Sequence, residues 1–279
     1  MTLLRGLETA GVGILIGFLG GLFGKGGSAV ATPLLRLLGW PAFVSVASPL
    51  PATTPGTLVA AAAYWKNDLL DWPVVGWSIV IGIPSTVAGA WMSKWTGGDF
   101  LLILTALMVL GFGLSFLLRP EGSPHRHEAA PVIGPTGLAA TPEVAAGEAP
   151  ALAGADERSQ LGWRLRLGLV ASSVGLVSGL LANSGGFLLA PLYARVLKLP
   201  LKTAFGTSLL VAAVLSVPGT LVHWYLGHIS WPVAGLVAAG SVPLSFLGAQ
   251  LAIRTSATRL ERLYGIALTV LGIFFLFHH

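Results

Sequence analysis

Residues 21–33 read GLFGKGGSAVATP and residues 179–191 read GLLANSGGFLLAP. Each stretch breaks an apolar run with a glycine pair, Gly26-Gly27 in the first and Gly185-Gly186 in the second, and the second pair lies 159 positions after the first. The same offset joins Gly20 to Gly179, Pro41 to Pro200, Trp65 to Trp224, Trp72-Pro73 to Trp231-Pro232, Pro84 to Pro243, Gly89 to Gly248 and Gly113 to Gly272. The chain is therefore internally duplicated. Paired membrane repeats that each carry a glycine-interrupted helix point to a transporter whose site lies between them.

The solvent of this chain is lipid. Hydrophobic residues make up 54% of its 279 residues and charged residues 10%, and the mean hydropathy is +0.81. A water-soluble fold of this length cannot enclose that much apolar surface. Continuous apolar runs at Phe43–Trp65, Pro73–Trp95, Phe100–Leu118 and Leu260–Phe277 reach the roughly 20 residues that cross a bilayer as a helix. They lack the alternation of barrel strands. A cleaved leader competes for Leu7–Phe23, but that stretch has a partner at Leu165–Ala182 inside the chain and so belongs to the fold. With no cysteine, disulfides, thiolate metal sites and thiol redox chemistry are all excluded.

The expected fold is an all-α polytopic membrane protein of two inverted repeats. Residues 1–118 form the first repeat, 119–160 a flexible cytoplasmic linker rich in proline, alanine and carboxylates, and 161–279 the second. Each repeat has about five apolar segments. The second of them, Ala29–Leu38 or Phe187–Leu197, is too short to span alone. Five crossings per repeat would invert the second against the first, as would three crossings and a re-entrant hairpin; four would leave the repeats parallel. With the linker in the cytoplasm and five crossings, all sixteen Lys and Arg except Arg5, Arg36 and Lys94 fall inside, as the positive-inside rule requires. The cell (inner or plasma) membrane is the expected location, the lipid bilayer the obligate partner, and a homodimer is left open. No nucleic-acid partner is expected.

All eleven carboxylates lie in the linker or at segment ends. A carboxylate inside the bilayer is the usual cation ligand or proton relay, so its absence argues against cationic cargo. The glycine breaks suit an anion instead. The first N–H groups of a helix lack intrahelical partners and carry partial positive charge, and glycine lets a ligand approach them closely. Two such ends are expected to meet at the midplane. Lys25, Gly26, Gly27 and Ser28 would bind from the first break, and Asn183, Ser184, Gly185 and Gly186 from the second. Close helix packing is the competing explanation for any one glycine. Thr207 and Ser208 fit either second-tier ligands or helix–helix hydrogen bonds. His223 fits a proton or anion contact, or an interfacial position in the belt formed by Trp65, Trp72, Trp224 and Trp231. No metal site and no cofactor is expected.

A glycine-rich break followed by proline, in two halves about 160 residues apart, resembles the TauE/SafE family of sulfite and organosulfonate exporters. Gly24, Lys25, Gly26, Gly27, Ser28 and Pro33 stand where that family has its first motif, and Ser184, Gly185, Gly186 and Pro191 where it has its second. Ala204-Phe205-Gly206-Thr207-Ser208 is similar to a further second-repeat motif, whose counterpart at Ser45–Leu50 is degenerate. The resemblance implies a membrane exporter of a small sulfur-containing oxyanion such as sulfite or an organosulfonate, working by alternating access. An uncoupled anion channel, or a permease for another small anion, is the alternative. An enzyme is not expected, because no catalytic constellation is visible, and a scaffold would offer only its basic face to anionic lipid.

Overall fold

The computed structural model describes residues 3–24, 28–118, 149–183 and 185–277, and all regular elements among them are helices. The first repeat contributes α1 (Leu3–Leu22), α2 (Ser28–Leu37), α3 (Ala42–Ala47), α4 (Pro49–Trp65), α5 (Trp72–Met92) and α6 (Gly98–Leu118). The second contributes α7 (Ala149–Leu180), α8 (Gly186–Arg195), α9 (Leu201–Tyr225), α10 (Trp231–Arg254) and α11 (Ala257–Phe277). Among the described residues, four helical stretches, Leu3–Leu22, Trp72–Trp95, Leu201–Tyr225 and Trp231–Arg254, are long and apolar enough to cross a membrane. Val80, Leu107, Leu169 and Val270, all far from helix ends, are more than half exposed. An apolar exterior of this kind suits lipid.

The duplication extends to the joints. Trp65 packs edge-on against Trp72 at 5.9 Å and Trp224 against Trp231 at 5.7 Å. Left-handed backbone recurs at Gly39 and Lys198, and at Asp68 and Gly227, each pair 159 apart. A residue following a helix takes this conformation to satisfy the last free carbonyls, and in each pair one member manages it without being glycine. The chain's turns are thus conserved between halves where the residue types are not.

Two departures from the sequence reading have simple causes. The third segment of the first repeat divides at Ser48, between α3 and α4, whereas its counterpart α9 is continuous. Pro49 and Pro51 stand just beyond that point, and each removes an N–H from the helical ladder and crowds the carbonyl four residues back. Helix α7 begins at Ala149, so the last part of the expected linker, which is rich in alanine, is helical; the rest of it lies outside the described residues. The recurrent PGTLV at Pro55 and Pro218 reflects no insertion, since the segments holding it start at Ala42 and Leu201 and end at Trp65 and Tyr225. Proline simply sits one turn later in α9.

Glycine governs how the helices meet. Gly13, Gly17 and Gly21 of α1 press against the backbone of Val237, Ser241 and Ser245 of α10, so the two helices run side by side in one direction. Helix α5 runs along α7 likewise, with Gly175 on Gly82 and Gly179 on Thr86. By contrast α4 and α9 run oppositely, with Leu50 near Gly219 and Tyr64 near Gly206, and α6 crosses α11 with Gly113 on Thr269 and Gly272 on Leu110. Small residues at such crossings let backbones approach where burying apolar groups gives no driving force, because lipid is equally apolar. The short helix α2 doubles back along α1. Trp40, just beyond it, donates its indole N–H to Thr9 at 3.3 Å and lies under the Arg5 guanidinium at 4.1 Å.

Candidate functional site

The second break is described on both sides. Helix α7 stops where the Asn183 N–H bonds the Ser178 carbonyl at 2.8 Å and the Ala182 N–H bonds the Gly179 carbonyl at 3.1 Å. That stop puts Ala182 in left-handed backbone at φ +46, a conformation costing a non-glycine residue about 1–2 kcal/mol. Gly185, at φ +74, opens α8 and offers no side-chain cap. Its carbonyl accepts the N–H groups of Leu188 and Leu189, both at 2.9 Å, so those of Gly186 and Phe187 have no acceptor within the helix. Beside this end lies the Ser178 hydroxyl, fully buried and without a hydrogen-bond partner. It would stand 3.1 Å from a Cβ at Gly185. Asn183 is also buried, and Ser184 lies outside the described residues.

At the first break Lys25, Gly26 and Gly27 lie outside the described residues, and Ser28 is the first residue of α2. Gly24, at φ +64, packs on Phe205 of α9. The Ser208 hydroxyl lies 2.9 Å from the carbonyls of both Gly24 and Phe205 and donates to them. Ser208 thus pins the rim of this break to α9. The Thr207 hydroxyl accepts the Asp71 N–H at 3.0 Å, and Ser48 accepts the Ser230 N–H at 2.9 Å. These two bonds are counterparts at the 159-residue offset. They make Thr207 and Ser48 the joints on which α5 and α10 start, and they align the degenerate Ser45–Leu50 stretch with its partner.

The breaks do not lie together. Gly21, near the first, is reached by the Tyr64 hydroxyl of α4, whereas Ala182 of the second packs with Val46, Ala47 and Leu50. The fourteen residue steps of α4 from Leu50 to Tyr64 separate the two levels by about 20 Å at 1.5 Å per residue. The expected meeting of the two ends at the midplane is therefore not what the described backbone shows.

Between the breaks, α1, α4, α9 and α10 line a cleft of about 20 Å³ that touches Gly17, Gly21, Thr53, Gly56, Thr57, Ser241 and Ser245. The hydroxyls of Thr53, Thr57 and Ser245 donate to the carbonyls of Pro49, Thr53 and Ser241, so polar atoms line this cleft. The corresponding place in the other half is filled. Leu215 stands where Gly56 does, and Leu215 packs on Gly82, the counterpart of Ser241. At the centre Thr54 and Ser216 share a hydrogen bond of 2.6 Å across the two halves. Sequence reading passed over these hydroxyls; their signal was the i, i+4 spacing of Thr53 with Thr57 and of Ser241 with Ser245.

His223 is turned inward. It is 1% exposed, although Trp224 and Tyr225 beside it face outward. Its Nε2 lies 2.9 Å from the Gly179 carbonyl and its Nδ1 lies 3.1 Å from Nδ1 of His228. The belt is thus made by the tryptophan pairs, and His223 belongs to the interior just before the second break. Among the described residues no group of three or more His, Asp or Glu is placed to hold a metal.

Apolar helices around buried hydroxyls, glycine contacts and interrupted helices make this a multi-pass membrane protein with the build of a transporter. Residues 9–275 match the sulfite exporter TauE/SafE family, and the chain belongs to it. A probable membrane transporter protein of Xylella fastidiosa (strain 9a5c) is 26% identical over 284 residues, covering 98% of this chain and 96% of the relative. The probable membrane transporter protein YunE of Bacillus subtilis is 26% identical over 258 residues, covering 86% and 84%. MJ0441 of Methanocaldococcus jannaschii, also a probable membrane transporter protein, is 24% identical over 280 residues, covering 95% and 93%. No solved structure matches the chain.

Proposed function

We propose that this protein exports a small sulfur-containing oxyanion, such as sulfite or an organosulfonate, by alternating access between two inverted repeats. The observation that carries the anion site is the start of α8. A left-handed glycine with no side-chain cap, two N–H groups without intrahelical acceptors and a buried unpartnered Ser178 hydroxyl converge there. The two N–H groups and the hydroxyl are donors available to a ligand, and the helix end adds partial positive charge. Lys25 with Gly26, Gly27 and Ser28 would supply the equivalent contacts at the first break, and Asn183, Ser184 and Gly186 complete the second.

Inversion is supported by direction. The third helical segments of the halves run oppositely, as do the fifth. With five alternating segments in each half, the linker ends share one side, which the basic residues make cytoplasmic. The separation of the breaks fits a carrier that presents one anion site toward each face in turn.

The test is a thermal-stability screen of purified protein against sulfite, sulfate, thiosulfate, taurine and sulfoacetate, paired with electrical recording in planar bilayers. Stabilisation by a sulfur oxyanion without channel-scale current is expected. Large steady anion currents would replace the carrier with a channel, and no stabilisation by any of the five would remove the substrate class.

A further inference from the structure

The inward-facing histidine has a protonation state that its partners define. The Gly179 carbonyl can only accept, so Nε2 of His223 carries a hydrogen and, in the neutral ring, Nδ1 is an acceptor. The facing Nδ1 of His228, at 3.1 Å, must then donate. This leaves one free lone pair in the assembly, at Nε2 of His228. That ring is half-buried in the turn between α9 and α10, and Phe43 of α3 lies stacked on it with centroids 4.3 Å apart and planes 16° apart. An aromatic face so placed favours a cation over a neutral ring.

The surroundings are polar and incompletely bonded. Besides Ser178, the hydroxyls of Thr86 and Thr220 are buried without partners. Thr220 lies one turn before His223 on α9, and the Thr86 backbone abuts Gly179, whose carbonyl His223 holds. Among the described residues, the hydrogen bonds of the two rings go to each other and to the Gly179 carbonyl, not to a charged side chain. The last turns of α7, all of α3 and the turn at 226–230 carry no titratable residue except His228. On α9, Tyr225 stacks on Trp91 of α5. Lys94, after α5, sits over the rings of Trp91 and Trp95. Helix α6 carries Asp99 two turns before Ala106, the residue it packs near Ala182.

We infer that the His223–His228 pair is a proton relay that links anion binding at the Gly185 break to proton uptake from the face opposite the linker. The inference rests on the anion reading above. A proton delivered by hydronium adds to the Nε2 lone pair of His228. The Nδ1 proton of His228 then passes to Nδ1 of His223, breaking one N–H bond and forming another. His223 becomes an imidazolium still bonded to Gly179, and His228 is left neutral with its proton on Nε2 and its Nδ1 now accepting. A positive charge has moved inward to the helix end that precedes the break. There it attracts an anion at the start of α8, and by reciprocity a bound anion raises the pair's affinity for the proton. Half-burial lowers the pKa of His228 from the ordinary histidine value, so the pair loads on the acid side. The first repeat lacks this device, because Tyr64 and Leu69 occupy the corresponding positions.

The test measures binding of methanesulfonate, whose charge is independent of pH, together with proton uptake in weakly buffered solution. Wild-type protein is expected to bind up to about tenfold more tightly for each unit fall in pH above the pair's pKa and to take up protons on binding. His228→Asn keeps an N–H that can donate to His223 but has no basic nitrogen to take up a proton, and is expected to bind without pH dependence or proton uptake. A variant that keeps the wild-type pH dependence, or wild-type binding without proton uptake, overturns the inference. Failure of methanesulfonate and sulfite to bind at any pH refutes the substrate reading instead. The relay is then decided in wild-type protein by ¹⁵N-imidazole titration: joint titration of the two rings supports it and independent titration removes it.

Discussion

Gly185→Ala isolates what the second break does. The native φ is +74, and a Cβ there would lie 3.0 Å from Ser178 Cβ, 3.1 Å from Ser178 Oγ and 3.1 Å from Val174 Cγ1. Left-handed backbone costs a non-glycine residue about 1–2 kcal/mol, and the three close contacts add about 1 kcal/mol or more of overpacking. If the break keeps its shape, the total of roughly 2–3 kcal/mol appears as lost stability. If it relaxes, the N–H groups of Gly186 and Phe187 turn away and the loss appears in binding, where about 2 kcal/mol is a factor of roughly 30. Thermal unfolding in detergent and sulfonate affinity, measured on the same preparation, capture both routes. Gly235→Ala is the control, since a Cβ there meets nothing within 4 Å, and it should be neutral or stabilise by up to about 1 kcal/mol. Should Gly185→Ala match wild type in both measurements to within about 0.5 kcal/mol, the break is ordinary packing and the reasoning fails.

Other outcomes follow from the joints and the cleft. Thr207→Val and Ser48→Ala each leave a helix-start N–H without its acceptor and should cost about 1–3 kcal/mol; the double variant should show nearly the sum, because the joints share no partner. Leu215→Gly should open the filled half and destabilise by at least about 2–5 kcal/mol, and Gly56→Leu should overfill its cleft, since even a Cβ there lies 3.2 Å from Ser245 Oγ; calorimetry compares the pair. Because the pKa of His228 is lowered in the folded protein, its neutral form contributes stability that is full above the unfolded value of about 6.5 and lost as pH falls through the folded value. The unfolding temperature of wild type should therefore drop more steeply in acid than that of His228→Asn.

Much of the architecture is legible in the sequence because glycine, proline and tryptophan mark backbone events that both halves must repeat. Gly113 and Gly272 fall where α6 crosses α11, and the tryptophan pairs fall at matching helix ends. Other features leave no such mark. Lys198 and Asp68 hold left-handed turns for which their partners use glycine, so identity at the offset understates the repetition. The depth of a break is not encoded by its position in the chain, which is why two similar motifs suggested one shared site while the backbone sets them about 20 Å apart along α4. Residue type alone leaves Thr207 and Ser208 between ligand and joint, and the joint shows only in three dimensions, in their bonds to Asp71 and Gly24. His228 gave no signal, because its meaning comes from the ring it meets five residues back.

The central claim, that a small sulfur oxyanion crosses the membrane through a site built at the glycine breaks, is tested most directly by flux of labelled sulfite in proteoliposomes. Wild-type protein should move sulfite saturably, with labelled sulfite exchanging against unlabelled sulfonate. Gly185→Leu and Lys25→Ala, verified as folded, should each lose most of that flux. Unchanged flux in both folded variants would contradict the site, and absence of saturable sulfite or sulfonate flux in wild type would contradict the account as a whole.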